Sequence, residues 1–241
     1  TAGVSNEIIF QSYDNYGNLQ SHSLDVYTAT IISNDSTIII NPTITNVSSG
    51  SFKMTYSINK IGKYSLKLTV TPNGTTISTT LGPYDISCVS NVIDMTNISI
   101  TGDGWTKAIA GIKALFDIKL YDSLNNIIIS NDYLINVDIR STSETVDDIK
   151  ITYNEGIYTC EYIAYKTDAP ITITLTINND ITNSRTSTFQ VLPNIPSRST
   201  YIDLLSEYMS NTDNSFNILL KDSYNNPILT QTNVVATFKR E

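Results

Sequence analysis

Histidine, cysteine and charge are all scarce in this sequence, and each scarcity removes a class of function. The one histidine, His22, lies between Ser21 and Ser23 in a polar stretch, whereas hydrolytic triads and Cys-His pairs need a histidine held against a nucleophile and oriented by a third group. The two cysteines, Cys88 and Cys160, stand far apart, while zinc sites draw on several Cys and His at short spacings. No catalytic residue, metal site or cofactor is readable. Charged residues make up 16% of the chain, against about 25% in an ordinary globular protein. A net charge of -8 leaves no basic footprint for a phosphate backbone, which excludes nucleic acid as a partner. No apolar run approaches the roughly 18 residues of a membrane-spanning helix, so no direct membrane insertion is expected.

What the 241 residues do contain is 40% hydrophobic side chains and a polar complement dominated by Ser, Thr and Asn. The apolar residues alternate, as in Phe116-Asp-Ile118-Lys-Leu120, Phe216-Asn-Ile218 and Tyr64-Ser-Leu66-Lys-Leu68-Thr-Val70. Alternation with β-branched residues is the mark of half-buried strands. The one helical candidate runs from about Ile202 to Met209. An internal repeat organises the strands. Asp14-Asn-Tyr-Gly-Asn18, Asp122-Ser-Leu-Asn-Asn126 and Asp222-Ser-Tyr-Asn-Asn226 recur about one hundred residues apart, the size of a β-sandwich domain. Ile8, Phe116 and Phe216 each stand six positions before their aspartate, and Gly50-Ser-Phe-Lys-Met-Thr-Tyr56 aligns with Gly156-Ile-Tyr-Thr-Cys-Glu-Tyr162.

These residues resemble the filamin-type immunoglobulin-like repeats. Gly102-Asp-Gly104-Trp105, Ala110-Gly111, Phe116 and Asp122 are similar to the family's opening pattern, with Asp103 in place of its Pro and Trp105 in place of its Leu. Gly62-Lys-Tyr64 and Gly82-Pro-Tyr84 resemble later strands. Asn126 and Asn226 stand where the family prefers Gly, and Asn accommodates positive φ. The resemblance implies an all-β chain of tandem immunoglobulin-like sandwich repeats in an extended rod. The alignment of Ala2-Gly3 with Ala110-Gly111 divides it into 1–91, a repeat lacking its first strand; 92–193, a complete repeat; and 194–241, the first half of a third. The chain therefore reads as an excerpt from a longer array. The links at about 90–96 and at Leu192 to Ser197, the latter with two prolines, read as stiff.

The family docks partner peptides along the exposed edge of its third and fourth strands. The physical basis is general, because an edge strand offers unpaired N–H and C=O groups. That edge would comprise Leu24, Val26, Ile38, Ile39 and Ile40 in the first repeat. In the second it would comprise Ile135, Val137, Ile139, Ile149 and Ile151. Ile38-Ile39-Ile40 cannot all face inward, so at least one presents an apolar side chain to solvent. Candidate N-glycosylation sequons begin at Asn34, Asn46, Asn73 and Asn97, in a composition where the motif arises often by chance. The aspartate turns and Asp147-Asp148 read as local hydrogen-bonded turns rather than calcium ligands, and the cysteines as buried small hydrophobes. Trp105 is expected to cover one end of the second repeat.

The function expected is non-enzymatic: a spacer or scaffold whose partners are other proteins or further copies of itself. The alternatives are an adhesive ectodomain, since Phe216 to Ile228 also resembles bacterial invasin-like repeats, and a filament subunit assembling by strand donation. The low charge and hydroxyl-rich surface favour an extracellular or cell-surface setting, with a cytoplasmic or cytoskeletal scaffold as the alternative.

Overall fold

The computed structural model describes residues 1–14, 16–20, 24–146, 148–202, 213, 215–229, 234, 235 and 237. The chain forms strands β1 (Ser5–Gln11), β2 (Val26–Ser33), β3 (Ile39–Ile40), β4 (Thr43–Ser48), β5 (Ser51–Ser57), β6 (Gly62–Thr71) and β7 (Thr79–Cys88). Next come β8 (Ile93–Thr101), β9 (Lys113–Asp122), β10 (Ile135–Ser141), β11 (Lys150–Asn154), β12 (Ile157–Ile163), β13 (Pro170–Ile177) and β14 (Asp180–Gln190). The antiparallel pair β15 (Arg198–Ile202) and β16 (Asn217–Lys221) follows. The only helical element among the described residues is a single 3-10 turn, Asp103–Trp105. Apart from Ile202, which ends β15, the helical candidate over 202–209 lies outside the described residues, as does His22.

The strands pair antiparallel into two sandwiches. The first combines sheets β1-β5-β4 and β3-β2-β6-β7, and the second β11-β12-β9-β8 and β10-β13-β14. Alternation in the sequence becomes alternation in burial: Ala114, Phe116, Ile118 and Leu120 of β9 face inward, as do Tyr158, Cys160 and Tyr162 of β12, opposite Ile171, Ile173 and Leu175 of β13. In the first sandwich Ala29, Ile31, Met54, Tyr64, Leu66 and Cys88 form the core. The hydroxyl of Tyr64 donates to Lys60 O, four residues upstream, at 2.8 Å, an arrangement like the tyrosine corner of immunoglobulin folds. The described cysteines carry no disulfide and are both buried; burial pushes the Cys160 thiol up to about 12.

The chain divides into two compact units: Thr1–Ile98 with Leu120–Ile129, and Ser99–Lys119 with Ser130–Glu241. The aspartate turn at 122–126 thus packs with the first sandwich.

Within the second unit, Trp105 stacks obliquely on Phe116 with ring centroids 5.3 Å apart. The buried hydroxyl of Tyr162 donates to Gly104 O at 2.7 Å. Four residues earlier on the same strand, the buried Tyr158 hydroxyl has no hydrogen-bond partner. The two tyrosines should therefore respond oppositely to loss of the hydroxyl. Tyr162→Phe is expected to destabilise the second unit by about 1 kcal/mol, whereas Tyr158→Phe, which removes an unpaired buried group, leaves stability unchanged or raises it by up to about 1 kcal/mol. Urea unfolding of the two variants checks both signs.

Candidate functional site

The three aspartate turns share one local structure. In each, the first carboxylate oxygen accepts two backbone N–H bonds. These come from Tyr16 and Asn18 to Asp14 at 2.9 and 2.8 Å. Leu124 and Asn126 bond Asp122 at 3.0 and 2.8 Å, and Tyr224 and Asn226 bond Asp222 at 2.9 Å each. The second oxygen accepts the side-chain amide of the last Asn at 3.0, 3.1 and 2.9 Å. Positive φ falls on Gly17 (82°), Asn125 (61°) and Asn225 (71°). This corrects the expectation placed on Asn126 and Asn226: the left-handed position is one residue earlier, and the final Asn is kept for its side chain.

What that side chain does is visible at the second and third turns. Asn126 Nδ2 donates to Asn59 O at 2.8 Å and its Oδ1 accepts Ile61 N–H at 3.2 Å. In the second unit, Asn226 Nδ2 donates to Tyr165 O at 2.7 Å and its Oδ1 accepts Thr167 N–H at 3.2 Å. The linking segment completes each clamp. Asn91 N–H donates to Asp122 Oδ2 at 3.0 Å, and Asn194 N–H to Asp222 Oδ2 at 2.9 Å. Their side-chain amides reach back to Ala2 O at 3.4 Å and Ala110 O at 3.0 Å.

The Ala-Gly pair of the repeat supplies the floor. Gly3 (φ 74°) and Gly111 (φ 72°) sit in the left-handed region. A Cβ on Gly3 would meet Leu124 Cδ1 at 2.7 Å, and one on Gly111 would lie 2.1 Å from the Tyr224 ring. Leu124 and Tyr224, two residues after their aspartates, therefore seat in glycine sockets that no other residue type would leave open. Tyr224 also lies against Tyr165, ring centroids 5.1 Å apart.

Asp122 and Asp222 are fully buried, and Asn126 and Asn226 are nearly so. Burial pushes the Asp122 carboxyl up, but the bonds from Asn91, Asn126 and Leu124 together outweigh it and hold the group below the ordinary aspartate value. Asp222 is held low in the same way, burial opposed by bonds from Asn226, Asn194 and Tyr224. Such charge-assisted bonds are stronger than neutral ones. Among the described residues no three His, Cys, Asp or Glu side chains are grouped to hold a metal; Asp147 lies outside those residues.

The edge residues expected from sequence fall into two sets. On the first sandwich β3 covers β2 only at Ile31 and Ile32, so among the described residues no strand flanks that side of β2 along Val26–Thr30. Leu24, Val26 and Ile39 are exposed, at 73, 58 and 62%, while Ile38 and Ile40 pack against the core. On the second, β10 and β11 end their sheets. Val137 and Ile139 point into the core, Ile135 and Ile151 are half-buried, and Ile149 is exposed. Asn34, Asn46 and Asn73 are exposed. Asn97 is half-buried, its amide spent on Asp122 O and Asn125 Oδ1 at 3.2 and 3.4 Å.

Sequence reasoning found the turns but missed the Asn bridges and the linker N–H bonds. The signal available was that the repeated motif keeps Asn at both ends: Asn18, Asn126 and Asn226 in the turns, Asn91 and Asn194 in the links.

No protein-family model matches the chain, and no curated protein matches it in sequence. Solved structures do. The chain is similar to FdeC, an Escherichia coli adhesin, at a TM-score of 0.60 and 14% identity, covering 95% of this chain and 72% of that one. It is similar to invasin, a bacterial integrin-binding protein, at a TM-score of 0.53 and 15% identity over 82% of this chain, and it spans only 37% of that chain. A Lin-41 filamin domain is similar over 39% of this chain at 20% identity, with a TM-score of 0.31. The likenesses to FdeC and invasin show a tandem immunoglobulin-like fold.

Asp122→Ala removes the acceptor of three backbone N–H groups and is expected to cost roughly 3 kcal/mol; Asn126→Ala, which orphans Asn59 O and Ile61 N–H, costs about 1–3 kcal/mol. Both losses are read by denaturant unfolding of the first unit. The pH dependence follows from the depressed carboxyls. Above the ordinary aspartate value of about 3.9 the stabilisation is complete, and it is lost as pH falls through the lower folded values. Stability measured from pH 6 down should therefore drop from about pH 4 in the wild type and less steeply in Asp122→Asn.

Proposed function

We propose that this chain is a non-enzymatic segment of a cell-surface adhesive or structural array, built of immunoglobulin-like repeats over 1–91, 92–193 and 194–241. The observation that carries the reading is the duplicated clamp. Two turns of the same sequence pattern are locked to a preceding loop and link by matching sets of bonds, each centred on a fully buried carboxylate. A chain selected only to fold sandwiches has no need to repeat that arrangement. One selected to carry load along a series of repeats does, and the stiff links expected from the sequence suit a spacer. The adhesin neighbours FdeC and invasin support the adhesive form of this role, and the hydroxyl-rich, weakly charged composition suits the outside of a cell.

Partners are other proteins or further copies of the array. The open side of β2 at Val26–Thr30, with exposed Val26 and Ile39 beside it, and the edge strand β10 offer backbone groups for an added strand. An antibody raised against this chain tests the location. Labelling of intact, unpermeabilised source cells is expected, and labelling only after permeabilisation would return the chain to a cytoplasmic scaffold.

A further inference from the structure

Among the described residues, the first aspartate turn shares the hydrogen bonds within the other two and has none of their outer contacts. Asp14 accepts the same two backbone bonds and the same Asn amide, and its backbone closes on Asn18 O and Gly17 N–H as in the other turns. Yet Asn18 is exposed and Asp14 only half-buried, where Asn126 and Asn226 are 2 and 4% exposed and both aspartates 0%. Tyr16, in the position of Leu124 and Tyr224, is 91% exposed. The carboxylate is preorganised by its own hydrogen bonds, from the Asn18 side chain first and then the Asn18 backbone, which hold it below the ordinary value. An ionised carboxylate, an amide and a tyrosine ring are thus set out in the pattern that, at two other places in this chain, is filled.

We propose that the Asp14–Asn18 turn is a docking plug for the socket end of another immunoglobulin-like repeat of this chain's own kind. The proposal rests on the reading of the chain as an array segment. The two filled junctions define the socket: a left-handed glycine to receive the Tyr16 ring, a loop whose carbonyl and whose N–H two residues on engage Asn18, and a linker N–H for Asp14 Oδ2. Because that last donor comes in both cases from the segment that leads into the plug-bearing repeat, the partner repeat is one joined through such a linker rather than an unconnected protein. Within this chain the sockets at Gly3 and Gly111 are already filled by Leu124 and Tyr224, so the partner socket belongs to a further repeat. Tyr16 also borders a groove of about 560 Å³ that Phe10, Tyr13, Tyr27 and Asp25 help to line. That face would be shielded by the docked repeat.

The test exploits the register of the repeats, in which Thr1 aligns with Met209. Residues 1–208 are joined directly to a second full copy, so that the second copy's Asp14 turn replaces the Asp222 turn opposite the socket at Gly111. Hydrogen exchange is followed on peptides covering 163–169 and 191–195 of the first copy, which contain the Thr167 and Asn194 amides. Exchange at least about tenfold slower than in an unstructured peptide is expected, and Asp14→Ala in the second copy should abolish that protection while leaving the same peptides of the single chain unchanged. Unprotected peptides, or protection indifferent to Asp14→Ala, would overturn the proposal and leave the Tyr16 groove to a different ligand. In the single chain, Ser223→Asn with Asn225→Gly converts the third turn to the sequence of the first. Retained protection of Thr167 and Asn194 supports the proposal, and its loss contradicts it whether or not the joined chain folds. A chain found inside cells would defeat the surface reading without altering either exchange result.

Discussion

A carboxylate with no exposure to water has to find several donors or lose its charge, and Asp122 and Asp222 find three backbone N–H groups and a side-chain amide each. This requirement organises much around it. It closes the turn, because two of the donors are the turn's own amides. It fixes the last residue as Asn, which alone among small side chains can donate to the carboxylate and still offer a carbonyl oxygen to a neighbouring N–H. It also draws in the link, since the remaining lone pair is filled by Asn91 or Asn194.

The apolar part of the same junction is set by the Ala-Gly pair. Ala2 and Ala110 are fully buried, and their N–H groups bond to Val89 O and Leu192 O at 2.8 Å. The following glycine turns left-handed and leaves the space that Leu124 or Tyr224 occupies. Polar specificity and apolar contact therefore meet at one place in each unit. Removing a donor would leave a buried charge short of partners, a larger penalty than the loss of one neutral bond.

Most of the architecture was legible because strand alternation is a local signal. Phe116, Ile118 and Leu120 announce an inward face by spacing alone, and β9 buries them. The tandem organisation followed from the Asp-x-x-x-Asn repeat and from Gly50 to Tyr56 aligning with Gly156 to Tyr162, and its immunoglobulin-like character from the family resemblance that these residues carry. The roles inside the turn were less legible. Periodicity does not say whether Asn125 or Asn126 takes positive φ; the backbone shows that it is Asn125, aligned with Gly17. Nor does spacing reveal that Asn126 meets Asn59 and Ile61, more than sixty residues away in the chain. The edge was half legible: that one of three consecutive isoleucines must face out is a matter of pleat, and Ile39 does. Which of the neighbours tuck in depends on where β3 stops, and β3 is only two residues long.

The central claim is that two buried carboxylates, kept ionised by their donors, hold the turns, links and loops together. The direct measurement is an NMR titration of the Asp122 and Asp222 side-chain carboxyl carbons, with the Asn91 and Asn194 amide protons followed in the same samples. The account predicts that both carboxyls titrate below the ordinary aspartate value of about 3.9 and that each link amide shifts along its own partner's curve. Carboxyls that titrate at or above that value, or link amides indifferent to them, would contradict it.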